Sequence, residues 1–151
     1  MPSQATNYFY TLVAMAAIAF MVTNAFDAHV LRLRVASEQE ELRSLLVVVA
    51  TEATELAALT EASGSTVKVC LRLPQMVGNK QYWIRLVSDS SGSWVEGGFG
   101  DPWSGRLDLT VDLPFNVSAT GTYKGGYGTA SLNCTDQGSG PMLTLGRWEV
   151  G

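Results

Sequence analysis

Near its start the chain holds a run in which apolar side chains take almost every position. From Tyr8 to Phe26, 16 of 19 residues are apolar and none is charged. A helix of that length covers about 28 Å, close to the roughly 30 Å hydrocarbon thickness of a bilayer. From Asp27 to about Ala62 the pattern changes to a stripe. Val35, Leu42, Leu45, Leu46, Val49, Leu56 and Leu59 recur at spacings of three, four and seven, which places them on one side of a helix. Glu38, Glu40, Glu41, Arg43, Glu52 and Glu55 fill much of the remaining surface, and Arg34 and Glu38 are spaced as an i,i+4 pair. No Gly or Pro interrupts the chain between Tyr8 and Ser63. The pattern predicts one continuous helix of about 55–60 residues, roughly 85–90 Å long.

Beyond Ser63 the period drops to two. In "STVKVCLRLP", Val67, Val69, Leu71 and Leu73 alternate with Lys68, Cys70 and Arg72, the pattern of a half-buried strand. "QYWIRLVSD" follows the Gly78-Asn79-Lys80 turn and alternates in the same way, so the two segments are expected to form a hairpin. In "RLDLTVDLP", Leu107, Leu109, Val111 and Leu113 point inward and Arg106, Asp108, Thr110 and Asp112 outward. Shorter candidates are Trp94–Glu96, Asn116–Thr120, Thr129–Cys134 and Met142–Val150. About six or seven strands with Gly-, Ser- and Pro-containing turns predict an antiparallel β-sandwich, with an immunoglobulin-like arrangement as the specific expectation. The fold class is therefore α+β: a long N-terminal helix over 1–63, apolar at 8–26 and amphipathic at 27–62, then a β-sandwich domain over 64–151.

Composition sharpens that division. All 15 glycines lie at or after Gly64, while the first segment is rich in Ala, Leu and Glu, which favour helix. The net charge of −4 also comes from the first segment, where three Arg face one Asp and six Glu. No basic stripe is present to track a phosphate backbone, so nucleic acid is not an expected partner. The front of the helix is apolar all round, so it requires lipid or copies of itself. Leu12, Ala16, Ala19 and Thr23 fall along one face, with small residues spaced for close helix approach in an apolar medium. A secretory signal cleaved after Ala25 is the competing reading. Against it, no basic stretch precedes the apolar run, which is longer than a usual signal core.

Both cysteines, Cys70 and Cys134, fall in the β segment, the outer domain of an anchored chain, and are expected to form a disulfide. Closing a loop of about 65 residues would stabilise the domain by about 4 kcal/mol. Two sequons, Asn116-Val117-Ser118 and Asn133-Cys134-Thr135, mark Asn116 and Asn133 as expected glycosylation sites and place the domain outside the cell. Arg32 and Arg34 flank the apolar run on the domain side, but Asp27 and Glu38 offset them, so the cysteines and sequons decide the topology.

Catalytic chemistry is not expected. The only histidine, His29, belongs to the long helix beside Asp27, Arg32 and Arg34, where it forms a polar collar, and a hydrolase triad needs a histidine at its site. Asp89, Asp101, Asp108, Asp112 and Asp136 have no recognised calcium-loop spacing and read as solvated turns. "EGGFG" and "KGGYG" do not sit between a strand and a helix as a phosphate cradle would, so they are expected as mobile loops. Trp83, Trp94, Trp103 and Trp148, with Tyr82, Tyr123 and Tyr127, are expected to pack the sandwich rather than to form a binding surface. No cofactor and no metal is expected.

An apolar, breaker-free N-terminal helix that runs into an amphipathic helix and then a cysteine-bearing β domain resembles type IV pilins. The archaeal branch, with its archaellin-like subunits, is the better match, because it joins such a helix to an immunoglobulin-like sandwich. Many bacterial pilins carry Glu near the start, whereas the first acid here is Asp27. The resemblance implies a filament subunit for adhesion or motility, held in the membrane before assembly and by helix packing afterwards, with the β domain as outer sheath. Carried over to this chain, it makes Phe9, Leu12, Ala16, Ala19, Phe20 and Thr23 the expected helix contacts, and copies of the chain the main partner, with surface glycans as a further one. The alternative is a single-pass anchored protein with an extracellular binding domain, such as a minor pilin or a stator-like component.

Overall fold

A computed structural model describes residues 2–101, 109–114, 117–138 and 140–148. The fold is α+β. One helix, α1 (Pro2–Ser63), precedes β1 (Val67–Leu71), β2 (Tyr82–Asp89), β3 (Gly92–Phe99), β4 (Leu109–Asp112), β5 (Ser118–Lys124), β6 (Ala130–Asp136) and β7 (Pro141–Arg147). The strands make a mostly antiparallel, sandwich-like β domain. Trp103, Arg106, Leu107, Asp108 and the Asn116 sequon position lie outside the described residues.

Helix α1 runs unbroken because after Pro2, at its first position where no intrahelical donor is needed, no Pro or Gly interrupts it. It stops at Gly64, whose φ of 62° suits a glycine and whose N–H donates to the Thr60 carbonyl at 2.8 Å. This is the left-handed glycine cap that often ends helices. By internal packing the chain divides into two units, Met1–Ser37 and Glu38–Gly151. The boundary expected at Ser63 therefore moves back, because the rear of the helix shares a core with the strands.

In the second unit, Leu42, Leu46, Val49, Ala53, Leu56 and Thr60 succeed one another at steps of four and three and are all buried, with Ala50 and Ala57 beside them. Leu45 is partly buried, but Leu59 and Val35 are exposed, contrary to the expected stripe. Leu59 precedes Thr60 by one residue, about 100° around the helix, which rotates it out of the buried face. Val35 belongs to the first unit, where every described side chain is exposed.

Strand order is β1-β6-β7-β5-β2-β3-β4, with β5 and β7 parallel and every other neighbour antiparallel. The expected β1–β2 hairpin is not formed. β1 pairs with β6, and the Gly78 turn closes only the isolated Val77–Lys80 bridge. Pro74, which lacks a backbone donor, falls between β1 and that bridge, so β1 does not extend into it. "EGGFG", expected as a mobile loop, instead lies largely in β3. A Cβ on Gly97 would come within 2.8 Å of Leu46 Cδ2 and 2.9 Å of the Trp83 carbonyl. The glycine is what lets the helix approach the sheet so closely. Tyr82, Ile84, Leu86, Val95, Leu132, Leu143 and Leu145 complete the core with the helix stripe.

Candidate functional site

The surface that the fold leaves uncovered is the front of α1. Ser3 to Ser37 are all exposed, including Phe9, Leu12 and Phe20, at 65%, 68% and 72%. The helix contains an 18-residue window of mean hydropathy 1.8, none of it buried, and is long and apolar enough to cross a membrane. Fully burying each large apolar side chain is worth about 1.5–3 kcal/mol. Several of them together make bare water an unfavourable solvent for this segment by more than about 10 kcal/mol.

Three polar side chains of the apolar run bond within the helix. Thr11 Oγ1 donates to the Asn7 carbonyl at 2.9 Å, Thr23 Oγ1 to Ala19 at 2.9 Å, and Asn24 Nδ2 to Phe20 at 2.8 Å. Each of these three side chains thereby places a donor on the helix backbone, as an apolar medium favours. The same bond folds the Thr23 hydroxyl back onto Ala19, on the face that also carries Leu12 and Ala16. The structure thus puts all six expected contact residues, Phe9, Leu12, Ala16, Ala19, Phe20 and Thr23, on exposed helix. Asp27, His29, Arg32 and Arg34 follow as exposed polar positions.

The expected disulfide is absent: Cys70 and Cys134 are both free. In the β1–β6 ladder Cys134 stands opposite Val67, whereas Cys70 stands opposite Ser131. Three register steps separate them by about 10 Å along the strand, and alternation turns them to opposite faces. Cα atoms more than about 7 Å apart cannot be bridged without moving the backbone. Cys134 is buried as a small hydrophobe and Cys70 is exposed. Asn133 is also displaced from its expected setting. A sequon normally marks a surface loop, but Asn133 lies within β6, flanked by Lys68 of β1 and Thr144 of β7, and its Oδ1 is buried without a hydrogen bond.

Two charged residues are buried, Glu38, which the helix pattern places on the surface, and Glu96. Glu38 pairs with Lys80 Nζ at 2.6 Å, and its side chain is 8% exposed. The Gly78 turn, with φ 60°, wraps this carboxylate so closely that a Cβ there would meet Glu38 Cγ at 2.9 Å. A signal for this was present, because Glu38 is four residues before Leu42 and in phase with the buried stripe. Glu96, also buried, faces Arg85 across the β2–β3 ladder, pairs with its guanidinium and accepts from Trp94 Nε1 at 3.3 Å. Finding that pair required the strand register.

No protein-family model, curated protein or solved structure matches the chain. A cleft of about 540 Å³ is lined by Glu61, the Ser88–Ser93 turn, Val117, Ser118, Asp136 and Pro141. Asp89 spends its Oδ1 on Ser91 and Gly92, and these bonds hold its carboxyl below the usual range. Among the described residues no three His, Cys, Asp or Glu gather as metal ligands. Of the aromatic residues, Tyr82, Trp83 and Tyr123 are buried, while Tyr127 is exposed. Burial pushes the Tyr82 and Tyr123 phenols up, Tyr82 further still because Tyr123 is near. Their hydroxyls donate to the carbonyls of Pro74 at 2.6 Å and Gly128 at 2.7 Å, a packing role rather than an open aromatic surface.

Proposed function

We propose that the chain is a pilin-like structural subunit of an extracellular filament. The front of α1 spans the membrane before assembly and packs against the same segment of other copies afterwards, and the β domain forms the filament surface. One observation carries this reading: an apolar helical segment with every described side chain uncovered and Thr11, Thr23 and Asn24 bonded internally, joined to a domain that buries its own core. Thr11, Thr23 and Asn24 keep these bonds whether lipid or protein surrounds them, because the helix itself supplies the acceptors.

The small residues Ala16 and Ala19 lie where two helix backbones would come closest, and Phe9, Leu12 and Phe20 fill the space around them. Assembly by such contacts is self-propagating when each copy offers the same face to more than one neighbour. The test is electron microscopy of cell-surface filaments from cells that make the chain, with mass spectrometry of the sheared material. Filaments containing the chain, and sedimenting intact after mild detergent, are the expected result. Extraction of all the chain as a small detergent complex would sink the filament reading in favour of a single-pass anchor.

A further inference from the structure

The sheet has two open edges, β1 and β4, each with one strand neighbour. Both are short, five and four residues. Among the described residues no strand pairs with either outer side. On β1, Val67 and Val69 are half-buried, while Lys68 and Cys70 are exposed. On β4, Leu109 and Val111 are half-buried, while Thr110 and Asp112 are exposed. An open edge offers unpaired backbone donors and acceptors to another strand.

We propose that β4 of one copy pairs with β1 of the next, so that the sheet continues from subunit to subunit. Charge selects the partner. The exposed side chain of β4 is acidic at Asp112, while β1 offers Lys68, whose ammonium lies 4.2 Å from the Trp148 ring centroid, and the exposed Arg72 just beyond its end. β1 against β1 or β4 against β4 would gather like charges at one seam with no opposite charge in either strand to offset them.

Strand direction agrees with this pairing. Along the sheet, β6 runs against β1, β7 and β5 run with it, β2 runs against it, β3 with it and β4 against it. Copies that all point the same way therefore bring β4 to β1 antiparallel, the ordinary arrangement for neighbouring strands. Side-chain pattern then fixes the register. Setting Val69 opposite Val111 puts Leu71 opposite Leu109 on the core face, and Lys68 opposite Asp112 and Cys70 opposite Thr110 on the outer face. A slip of one residue turns apolar side chains onto the polar face. A slip of two separates Lys68 from Asp112. Contact between two different patches of the same chain is heterologous, and such contacts propagate along a ring or filament.

The proposal deepens the filament reading and rests on copies of this chain meeting in one orientation. It is tested on the full chain through the exposed Cys70. Directly opposed Cβ atoms lie about 4.5–5.5 Å apart, close enough for a disulfide to form after small adjustments. The variant Thr110→Cys, oxidised with copper phenanthroline, is expected to give a reductant-sensitive ladder of multimers on a denaturing gel, absent when Cys70→Ser is added. A control, Ser90→Cys in the exposed β2–β3 turn, is expected to give none. Lys68→Asp should lower the ladder yield by about fivefold, and adding Asp112→Lys should restore it. No ladder from Thr110→Cys, an equal ladder from Ser90→Cys, or a charge swap without recovery would each overturn the pairing. Filaments that form without the ladder reject the edge contact and leave the helix-packed filament standing. A ladder in a preparation that never forms filaments does the reverse.

Discussion

Single residues carry most of the close fit in the β unit. Gly97 has no room for a side chain between Leu46 and the Trp83 carbonyl, so Gly97→Ala should destabilise that unit by about 1–3 kcal/mol through overpacking, read as a lowered denaturation midpoint. The Glu38–Lys80 pair makes a second residue-scale prediction. Lys80→Met would remove the Lys80 ammonium from the buried Glu38 carboxylate, and because Lys80 is half exposed the loss should be about 1–2 kcal/mol. Glu38→Gln in the Lys80→Met background should recover part of it. Tyr82 and Tyr123 set a pH dependence. Both phenols are raised in the folded chain, so their contribution is intact below the ordinary tyrosine value of about 10 and is lost as pH rises beyond it. Denaturation midpoints should therefore fall across the alkaline range, with a shallower slope for Tyr82→Phe.

At the scale of elements, α1 is one helix with two environments. From Leu42 to Thr60 one stripe is buried, and Leu46→Ala should cost about 2–5 kcal/mol by opening a cavity. Leu59→Ala, on the exposed side, should change the same midpoint by no more than about 0.5 kcal/mol. Equal losses at the two positions would contradict the helix rotation described above. The expected apolar stripe was correct at Leu42, Leu46, Val49 and Leu56, held in part at Leu45 and failed at Val35 and Leu59. Ala50, Ala53 and Ala57, too small to stand out in a hydropathy pattern, are the residues that fill the face. Strands were legible for the same reason, since alternation marks a half-buried surface whatever its neighbour. Their partners were not, because the β1–β6 and β5–β7 pairings join segments far apart in the chain.

For the whole molecule, the division into Met1–Ser37 and Glu38–Gly151 separates the helix segment proposed to pack against other copies from the unit that holds the buried core. An acidic residue in the middle of the apolar run, Ala16→Asp, disfavours membrane insertion by about 2.5–3.5 kcal/mol. It should abolish the membrane-bound and polymeric forms while leaving the denaturation midpoint of the β unit unchanged. A matching loss in that midpoint would show that the front of the helix supports the domain core. The candidate assembly surface was legible in outline, since Tyr8 to Phe26 is apolar without interruption. What had to be seen in three dimensions was that Thr11, Thr23 and Asn24 each close a bond onto the helix backbone.

Local chain chemistry determined the helix and the strands: an unbroken run of helix formers up to Gly64, then alternation punctuated by glycine. Apolar patterning alone also marked the segment that water cannot serve. Only tertiary structure decided which strands meet, and with that the fate of the two cysteines. Pairing β1 with β6 sets Cys70 and Cys134 three register steps apart, so two thiols that composition joins are left free. The same contacts buried Glu38 and Glu96 beside their cations, because a charge enters a core only where the fold supplies its partner.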